Sequence, residues 1–509
     1  MKRNHQPGIT HFVAICIVAI SCLLFACCVA VAQIGGSTAT HNAELKTKVV
    51  QQTKGRVSAL LVSDIHFEPF WDPSKVQQLI SLPVGDWKRV LAAPPSTDQA
   101  QRFAELQKSC HTRGSDTSYS LFESSLKAMQ THSADAKFMA VSGDLIAHAF
   151  SCKYDVLYPH STPSDYRAFV EKTINYVIGE LRDAVPGVPV YVALGNNDSD
   201  CGDYQLDAHG EFLSATSIGV TKDFPASERQ RAMDSFAEGG FYSVSLPGPI
   251  QHTRLVVLND LFMSKKYTTC AGKTDLTAAN AQLAWLQQQI DAARAHHEKV
   301  WVMGHIPPGI DLHSTVKQLD DVCGGQGPEM FLSSEKLADE LADSQDVIQL
   351  AIFAHTHMDE MRILQPEKTD QSAALRKGTA VKMVGSISPI DGNNPSFTVA
   401  YIDPTSAALM DYQVFTASNQ TGIDTKWAEE YDFARSYHKE TYTSSSISEL
   451  LAGFASDPDS KTEASQSYIK NFSVGYLSPV LKAFWPQYVC SLSNGTAKTY
   501  RACVCPSAK

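Results

Sequence analysis

Five short clusters of His, Asp and Asn, each placed directly after an apolar run, constrain this chain more than any other feature of its sequence. Asp64-Ile65-His66 follows Val57–Val62, and Gly143-Asp144 follows 137–141. Gly195-Asn196-Asn197-Asp198 follows 188–193, Gly304-His305 follows Lys299–Met303, and Ala354-His355-Thr356-His357 follows 347–353. Continuous apolar runs of this length read as strands buried on both faces. Between them, Tyr166, Phe169, Val170, Ile174, Val177, Ile178 and Leu181 recur at helical spacing. Leu283, Leu286 and Ile290 do the same after an expected N-cap at Thr277. Strands alternating with helices predict a layered α/β domain. Ligands of open α/β sheets collect at the carboxyl ends of the strands, so the five turns are expected to face one crevice.

Taken singly, each cluster has an ordinary explanation: a turn, a hydrogen-bonded pair, a histidine packed in a core. Five clusters at one structural position are a ligand set. Imidazole and carboxylate suit zinc, manganese and iron, and no free thiolate accompanies them, which fits a hydrolytic rather than a structural site. Two divalent ions about 3.5–4 Å apart need a carboxylate between them and hold and acidify a water that attacks phosphorus. Asp144 is the natural bridge.

The rest of the chain sets the context. Lys2 and Arg3 precede a mostly apolar run that ends Ala30-Val31-Ala32, so 1–32 reads as a signal peptide or, given its length, a signal anchor. Either form delivers the chain to an exported location: secreted, periplasmic, or in a lysosome- or vacuole-like lumen. A membrane contact is expected only through that segment. Eight cysteines lie beyond it (Cys110, Cys152, Cys201, Cys270, Cys323, Cys490, Cys503, Cys505), an even number that reads as disulfides of open pairing. The net charge of -11 excludes a nonspecific binder of nucleic-acid duplexes, which needs a basic surface. Residues 33–55 read as a linker, 56–415 as the catalytic domain and 416–509 as a smaller, mainly helical C-terminal subdomain that carries cysteines. Runs at 381–387, 397–402 and 409–415 predict closing antiparallel strands, and 427–442 and 447–454 predict helices. Asn419, Asn471 and Asn494 open glycosylation acceptor patterns, and nothing in the chain demands more than a monomer.

In order and spacing, Asp64-x-His66, Gly143-Asp144, Gly195-Asn196, Gly304-His305 and His355-x-His357 resemble the calcineurin-like metallophosphoesterase superfamily. Gly304-His305-Ile306-Pro307-Pro308-Gly309, Gly239-Gly240-Phe241-Tyr242-Ser243 and Ala354-His355-Thr356-His357-Met358-Asp359-Glu360 are similar to its acid sphingomyelinase-like branch. The resemblance implies a metallophosphoesterase β-sandwich flanked by helices. It further implies that Asp64, His66 and His357 join Asp144 at one metal, and that Asn196, His305 and His355 join it at the other. His148, four residues after the bridge, is implied to protonate the leaving group. The expected function is a phosphodiesterase acting on a small phosphoester, a lipid headgroup or polyphosphate. Asn197 departs from the Gly-Asn-His pattern of sphingomyelinases toward endopolyphosphatases, the alternative within enzymes, and Ala354 replaces a usual glycine. No room exists between Ala32 and Asp64 for a saposin domain, so lifting a lipid from a bilayer is disfavoured. The alternative outside enzymes is an inactive phosphate-binding relic.

Overall fold

The computed structural model describes residues 55–132, 135–366, 378–417, 425–475 and 478–505. The expected targeting segment 1–32, nearly all of the linker and the acceptor Asn419 lie outside these residues. Residues 57–509 form one compact unit.

Two six-stranded mixed sheets carry that unit. The strands are β1 (Val57–Val62), β2 (Ala136–Ser142), β3 (Val190–Ala193), β4 (Tyr242–Ser245), β5 (Thr253–Val257), β6 (Lys299–Met303), β7 (Ile348–Phe353), β8 (Glu360–Leu364), β9 (Thr379–Met383), β10 (Ser396–Ile402), β11 (Leu409–Thr416) and β12 (Ala428–Asp432). The first sheet runs β12-β11-β10-β1-β2-β3 and the second β4-β5-β6-β7-β9-β8. In the first, β1, β2 and β3 are parallel; in the second, β5, β6, β7 and β9 are. Antiparallel strands close both sheets, as the later runs of the sequence predict. All five strands that precede a cluster are therefore parallel, and they are apolar along nearly their whole length because both faces are covered.

The sheets are joined through their side chains. Trp301 of β6, fully buried, meets Phe138 of β2 edge-on at 5.9 Å between ring centroids, and its Nε1–H donates to the Ala407 carbonyl at 2.8 Å. Tyr242 of β4 lends its hydroxyl to the β3 backbone, accepting from Val192 N and donating to Val192 O. The helix Pro163–Ala184 opens on a capping box, Thr162 with Asp165, and buries every one of the seven apolar residues that announced it.

Three local expectations need correction. The helix expected after an N-cap at Thr277 starts on Thr277 itself, because Asp275 Oδ1 accepts the Thr277 N–H at 2.8 Å. The run 381–387 is a strand only to Met383; Val384 then bonds Phe353 O, and the chain bends so that Ser386 Oγ donates to Asp64 O at 2.9 Å. Residues 427–442, read as helical, begin as β12, whose backbone pairs with β11 before Asp432 caps the short helix Phe433–Tyr437. The remaining C-terminal helices include Ser444–Ala455, Glu463–Phe472, Trp485–Ser493 and Ala497–Val504. They meet β8 through a buried chain of hydroxyls in which Tyr468 bonds Tyr488, and Tyr488 donates to Glu360 Oε2 at 2.7 Å.

The eight cysteines pair as Cys110–Cys152, Cys201–Cys270, Cys323–Cys505 and Cys490–Cys503. No helix among the described residues is long and apolar enough to cross a membrane. Asn471 is buried and its amide donates to Tyr437 Oη, which leaves no room for a glycan there.

Trp301→Ala removes a large side chain from between the sheets and strips the Ala407 carbonyl of its donor. We expect a loss of about 3–5 kcal/mol in unfolding free energy, measured by urea denaturation, with the slope unchanged if the fold persists.

Candidate metal centre

The five clusters converge as the crevice rule demands. Asp64 and His66 leave β1, Asp144 leaves β2, Asn196 leaves β3, His305 leaves β6, and His355 and His357 leave β7. Their donor atoms fall into two groups that share one carboxylate: Asp64, His66 and Asp144, and Asp144, His305 and His355. Asp144 Oδ2 lies 3.4 Å from His66 Nε2 and 3.1 Å from His305 Nε2. His357 Nε2 joins the first group at 3.1 Å from His66 Nε2 and 3.6 Å from Asp64 Oδ1. Asn196 Oδ1 joins the second at 3.2 Å from His305 Nε2.

Backbone geometry makes the convergence possible. Asp64, His66, Asp144, His355 and His357 all have φ between 44° and 71°. Non-glycine residues seldom adopt this left-handed conformation, and it clusters at functional sites where surrounding structure holds it in place. Gly195 is required by proximity: a Cβ there would lie 2.1 Å from Asp144 Oδ1. Gly143 is required by both proximity and conformation, with φ +95° and a Cβ position 2.8 Å from His305 Nδ1.

The donor atoms point inward bare. A carbonyl only accepts, so His66 Nδ1 must carry the proton it gives to Ile146 O at 3.0 Å, and His305 Nδ1 the one it gives to Ser142 O at 2.7 Å. Each neutral ring then turns an unprotonated Nε2 to the centre. Asn196 gives its amide to Asp203 Oδ1 at 2.7 Å, which leaves its own Oδ1 facing His305. His355 presents Nδ1, 3.3 Å from His305 Nε2, while its Nε2 meets the Tyr204 hydroxyl at 3.2 Å. Both oxygens of Asp64 are buried without a hydrogen-bond partner. Lone pairs of nitrogen and oxygen 3.1–3.6 Å apart, on side chains that are mostly buried, repel unless a cation lies among them. With protons as the only cations, burial opposes charge on His66 and His305, yet Asp144 beside them raises them to about 9 and about 10. The carboxylates demand positive charge, and the residues present fit divalent ions.

A second set of side chains holds the ligands still. Asp198 Oδ1 accepts from Leu145 N at 2.8 Å and Ile146 N at 3.1 Å, and its Oδ2 from Gly195 N at 2.9 Å, so it clamps the turns after β2 and β3 together. Asp260, just after β5, does the same for the turn after β6 by accepting from His305 N and Ile306 N at 2.8 and 2.9 Å. Burial pushes the Asp260 carboxyl up to about 7 and, with Asp144 nearby, the Asp198 carboxyl up to about 6. Asn197, the departure from the sphingomyelinase pattern, is buried and donates to Asp144 through its backbone N–H at 2.9 Å and its amide at 3.0 Å. It also lies out of reach of any glycan.

His148 stands against the first group, its ring stacked on His66 at 3.9 Å between centroids. Asp116 holds it with two bonds: Oδ2 accepts its backbone N–H at 2.9 Å and Oδ1 its Nδ1–H at 3.0 Å. Burial disfavours the Asp116 charge, but the His148 and His66 imidazoles hold its carboxyl well below the usual range. The His148 side chain keeps 33 % of its surface exposed, against 0 % for His66, so it is the open face of the group. Sequence reasoning missed Asp116, Asp198, Asp260 and Tyr204. Asp260 carries the same strand-end signal as the five clusters, and Asp198 lies within one of them; Asp116 and Tyr204 lie in loops with no signal.

A model of the calcineurin-like phosphoesterase family matches residues 58–359. The chain is 25 % identical over 397 residues to human acid sphingomyelinase-like phosphodiesterase 3b, covering 76 % of this chain and 80 % of that relative. Human cyclic GMP-AMP phosphodiesterase is 25 % identical over 400 residues, with 76 % and 80 % covered. Sphingomyelinase phosphodiesterase C of Dictyostelium discoideum is 24 % identical over 311 residues; 59 % of this chain is covered and 62 % of that relative, less than two thirds of its length.

Asp260→Ala leaves the His305 and Ile306 N–H groups buried without an acceptor, at about 1–3 kcal/mol for each group. Chemical denaturation is expected to show that loss. Asp260→Asn, which keeps one acceptor oxygen, is expected to lose markedly less.

Proposed function

The chain belongs to the calcineurin-like phosphoesterase family; from that premise we propose that it is an exported phosphodiesterase with two divalent ions. One is held by Asp64, His66, Asp144 and His357, the other by Asp144, Asn196, His305 and His355. The observation that carries this reading is the shared carboxylate. Asp144 Oδ2 lies within 3.4 Å of a bare imidazole nitrogen on each side, one from each sheet. Zinc is the first expectation, with manganese or iron fitting the same nitrogen and oxygen donors. When bound, the ions supply a water acidified for attack and neutralise the charge that builds on the phosphate oxygens.

The chain's own residues do the rest. Asn197 fixes the Asp144 carboxylate by two hydrogen bonds, so its substitution for histidine retains a positioning role and gives up a proton donor. His148 is the general acid. Asp116 takes its Nδ1–H, which leaves Nε2 to give a proton to the departing oxygen as the ester bond to phosphorus breaks and the bond to the water oxygen forms. Such help is worth about 10²–10⁴-fold for a poor leaving group. Its partly open side chain supports contact with substrate, which the closed rings of His66 and His305 do not have. Four disulfides support delivery to an oxidising compartment. The inactive-relic reading gains nothing here, since a relic has no need of seven converging donors with buried Asp198 and Asp260 clamping the turns that carry several of them.

Dialysis against a chelator is expected to abolish hydrolysis of bis(4-nitrophenyl) phosphate, with zinc, manganese or iron restoring it. No activity under any of these metals would favour the relic. His148→Ala should lose little with a 4-nitrophenolate leaving group and about 10²-fold or more with an alkoxide. Equal losses on both esters would remove His148 from the acid role.

A further inference from the structure

Behind His148 and Asp116 lies an ammonium group closed off from solvent. Lys153, on the helix Phe150–Leu157, keeps 3 % of its side-chain surface exposed and is ion-paired with Glu68, which keeps 1 %. Its Nζ also stands 4.0 Å from Asp116 Oδ2, and the Asp116 side chain is likewise 1 % exposed. One buried cation therefore meets both buried acids.

Such a pair is a poor source of stability, because removing two charges from water costs about what their attraction gives back, and apolar residues of similar size often do as well. What it supplies here is direction. Glu68 is anchored to the segment that carries His66: its N–H donates to Thr117 O at 2.9 Å, and the Thr117 N–H donates to His66 O at 3.1 Å. Glu68 Oε1 accepts from Phe70 N at 3.3 Å, which leaves Oε2 to Lys153. Asp116 Oδ2 takes the His148 backbone N–H, while Oδ1 takes the His148 ring N–H and, at 2.9 Å, the Ser388 hydroxyl. A cation on the Oδ2 side fixes the turn of the carboxylate and keeps Oδ1 on the imidazole. The backbone beside His148 needs such support. Ala149, which joins His148 to the helix, has φ 52°, a left-handed conformation that persists where neighbouring structure enforces it. Two adjacent helix residues do so: Cys152 is bonded to Cys110, on the approach to Asp116, and Lys153 meets Asp116 itself.

We infer that Lys153, held by Glu68, is a positioning residue for the general acid. It fixes the Asp116 carboxylate and, through it, the His148 ring in the orientation that aims Nε2 at the departing oxygen. The inference rests on the acid role of His148 proposed above. Because Lys153 acts only through Asp116 and His148, its effect grows with the leaving group's need for a proton and vanishes when His148 is gone.

Lys153→Met alone strips two buried carboxylates of their cation, so it is paired with Glu68→Gln, which removes one of those charges and keeps the Oε1 acceptor for Phe70. The test compares the metal-loaded full chain, this double variant, His148→Ala and the combination of all three substitutions. For each, kcat is measured on a dialkyl phosphate and on bis(4-nitrophenyl) phosphate, beside bound metal by atomic absorption and the urea unfolding midpoint. In the double variant, kcat on the dialkyl ester is expected to fall by about tenfold or more, a share of the acid's full contribution. The fall on the nitrophenyl ester should be several times smaller, with bound metal and unfolding midpoint near wild type. Added to His148→Ala, the two substitutions should cost nothing further on either ester, the non-additivity of residues that act through one another. Equal losses on both esters, a loss that persists on top of His148→Ala, a loss of bound metal, no loss at all or a double variant that does not fold would each overturn the inference. His148→Ala losing equally on both esters sinks the acid reading itself. A leaving-group-dependent loss in His148→Ala, to which the double variant merely adds, sinks the role of Lys153 alone.

Discussion

One carboxylate oxygen, Asp144 Oδ2, sits between two half-sites, and the architecture is arranged around keeping it there. A buried carboxylate costs several kcal/mol unless charge or hydrogen bonds compensate it. This protein buries Asp64, Asp144, Asp198 and Asp260 within one cluster of turns. Asp198 and Asp260 are satisfied by backbone N–H groups and serve as clamps. The Asp64 carboxylate has no hydrogen-bond partner, and Asp144 holds its second oxygen between two histidines. That imbalance has a natural solution in divalent cations, which turn converging lone pairs from a repulsion into a coordination sphere.

The two-sheet fold is what allows such a concentration. Three parallel strands of one sheet and two of the other end at the same level, so each turn approaches the centre from a different direction. Left-handed residues in the turns, with glycines where no Cβ fits, bend each donor inward. Strain of that kind costs about 1–3 kcal/mol per residue, and the clamping aspartates with the inter-sheet contacts at Trp301 and Tyr242 are positioned to bear it.

Much of this was legible in the sequence, for a physical reason. A donor at the end of a buried strand has few places to go, so the five clusters could be read from strand ends, and the family resemblance then picked Asp64, His66, Asp144, Asn196, His305, His355 and His357 from within them. All seven meet in the structure. What the sequence withheld depends on long-range contact. That Asp116 grips His148 follows from a loop folding back over the site, which no local pattern encodes. The orientation of Asn197 toward Asp144, rather than toward substrate, is a side-chain rotamer. Asp260 was within reach, because Asn259-Asp260 follows β5 as the other clusters follow their strands. The error at 427–442 has another origin: helix formers there are overridden by the open edge of β11, which offers hydrogen bonds to a strand.

The central claim is that Asp144 bridges two cations, and anomalous X-ray diffraction from crystals of the metal-loaded protein addresses it directly. Two anomalous peaks are predicted about 3.5–4 Å apart, one among Asp64, His66 and His357, the other among Asn196, His305 and His355, with Asp144 Oδ2 between them. A single peak, or metals bound away from Asp144, would contradict the account.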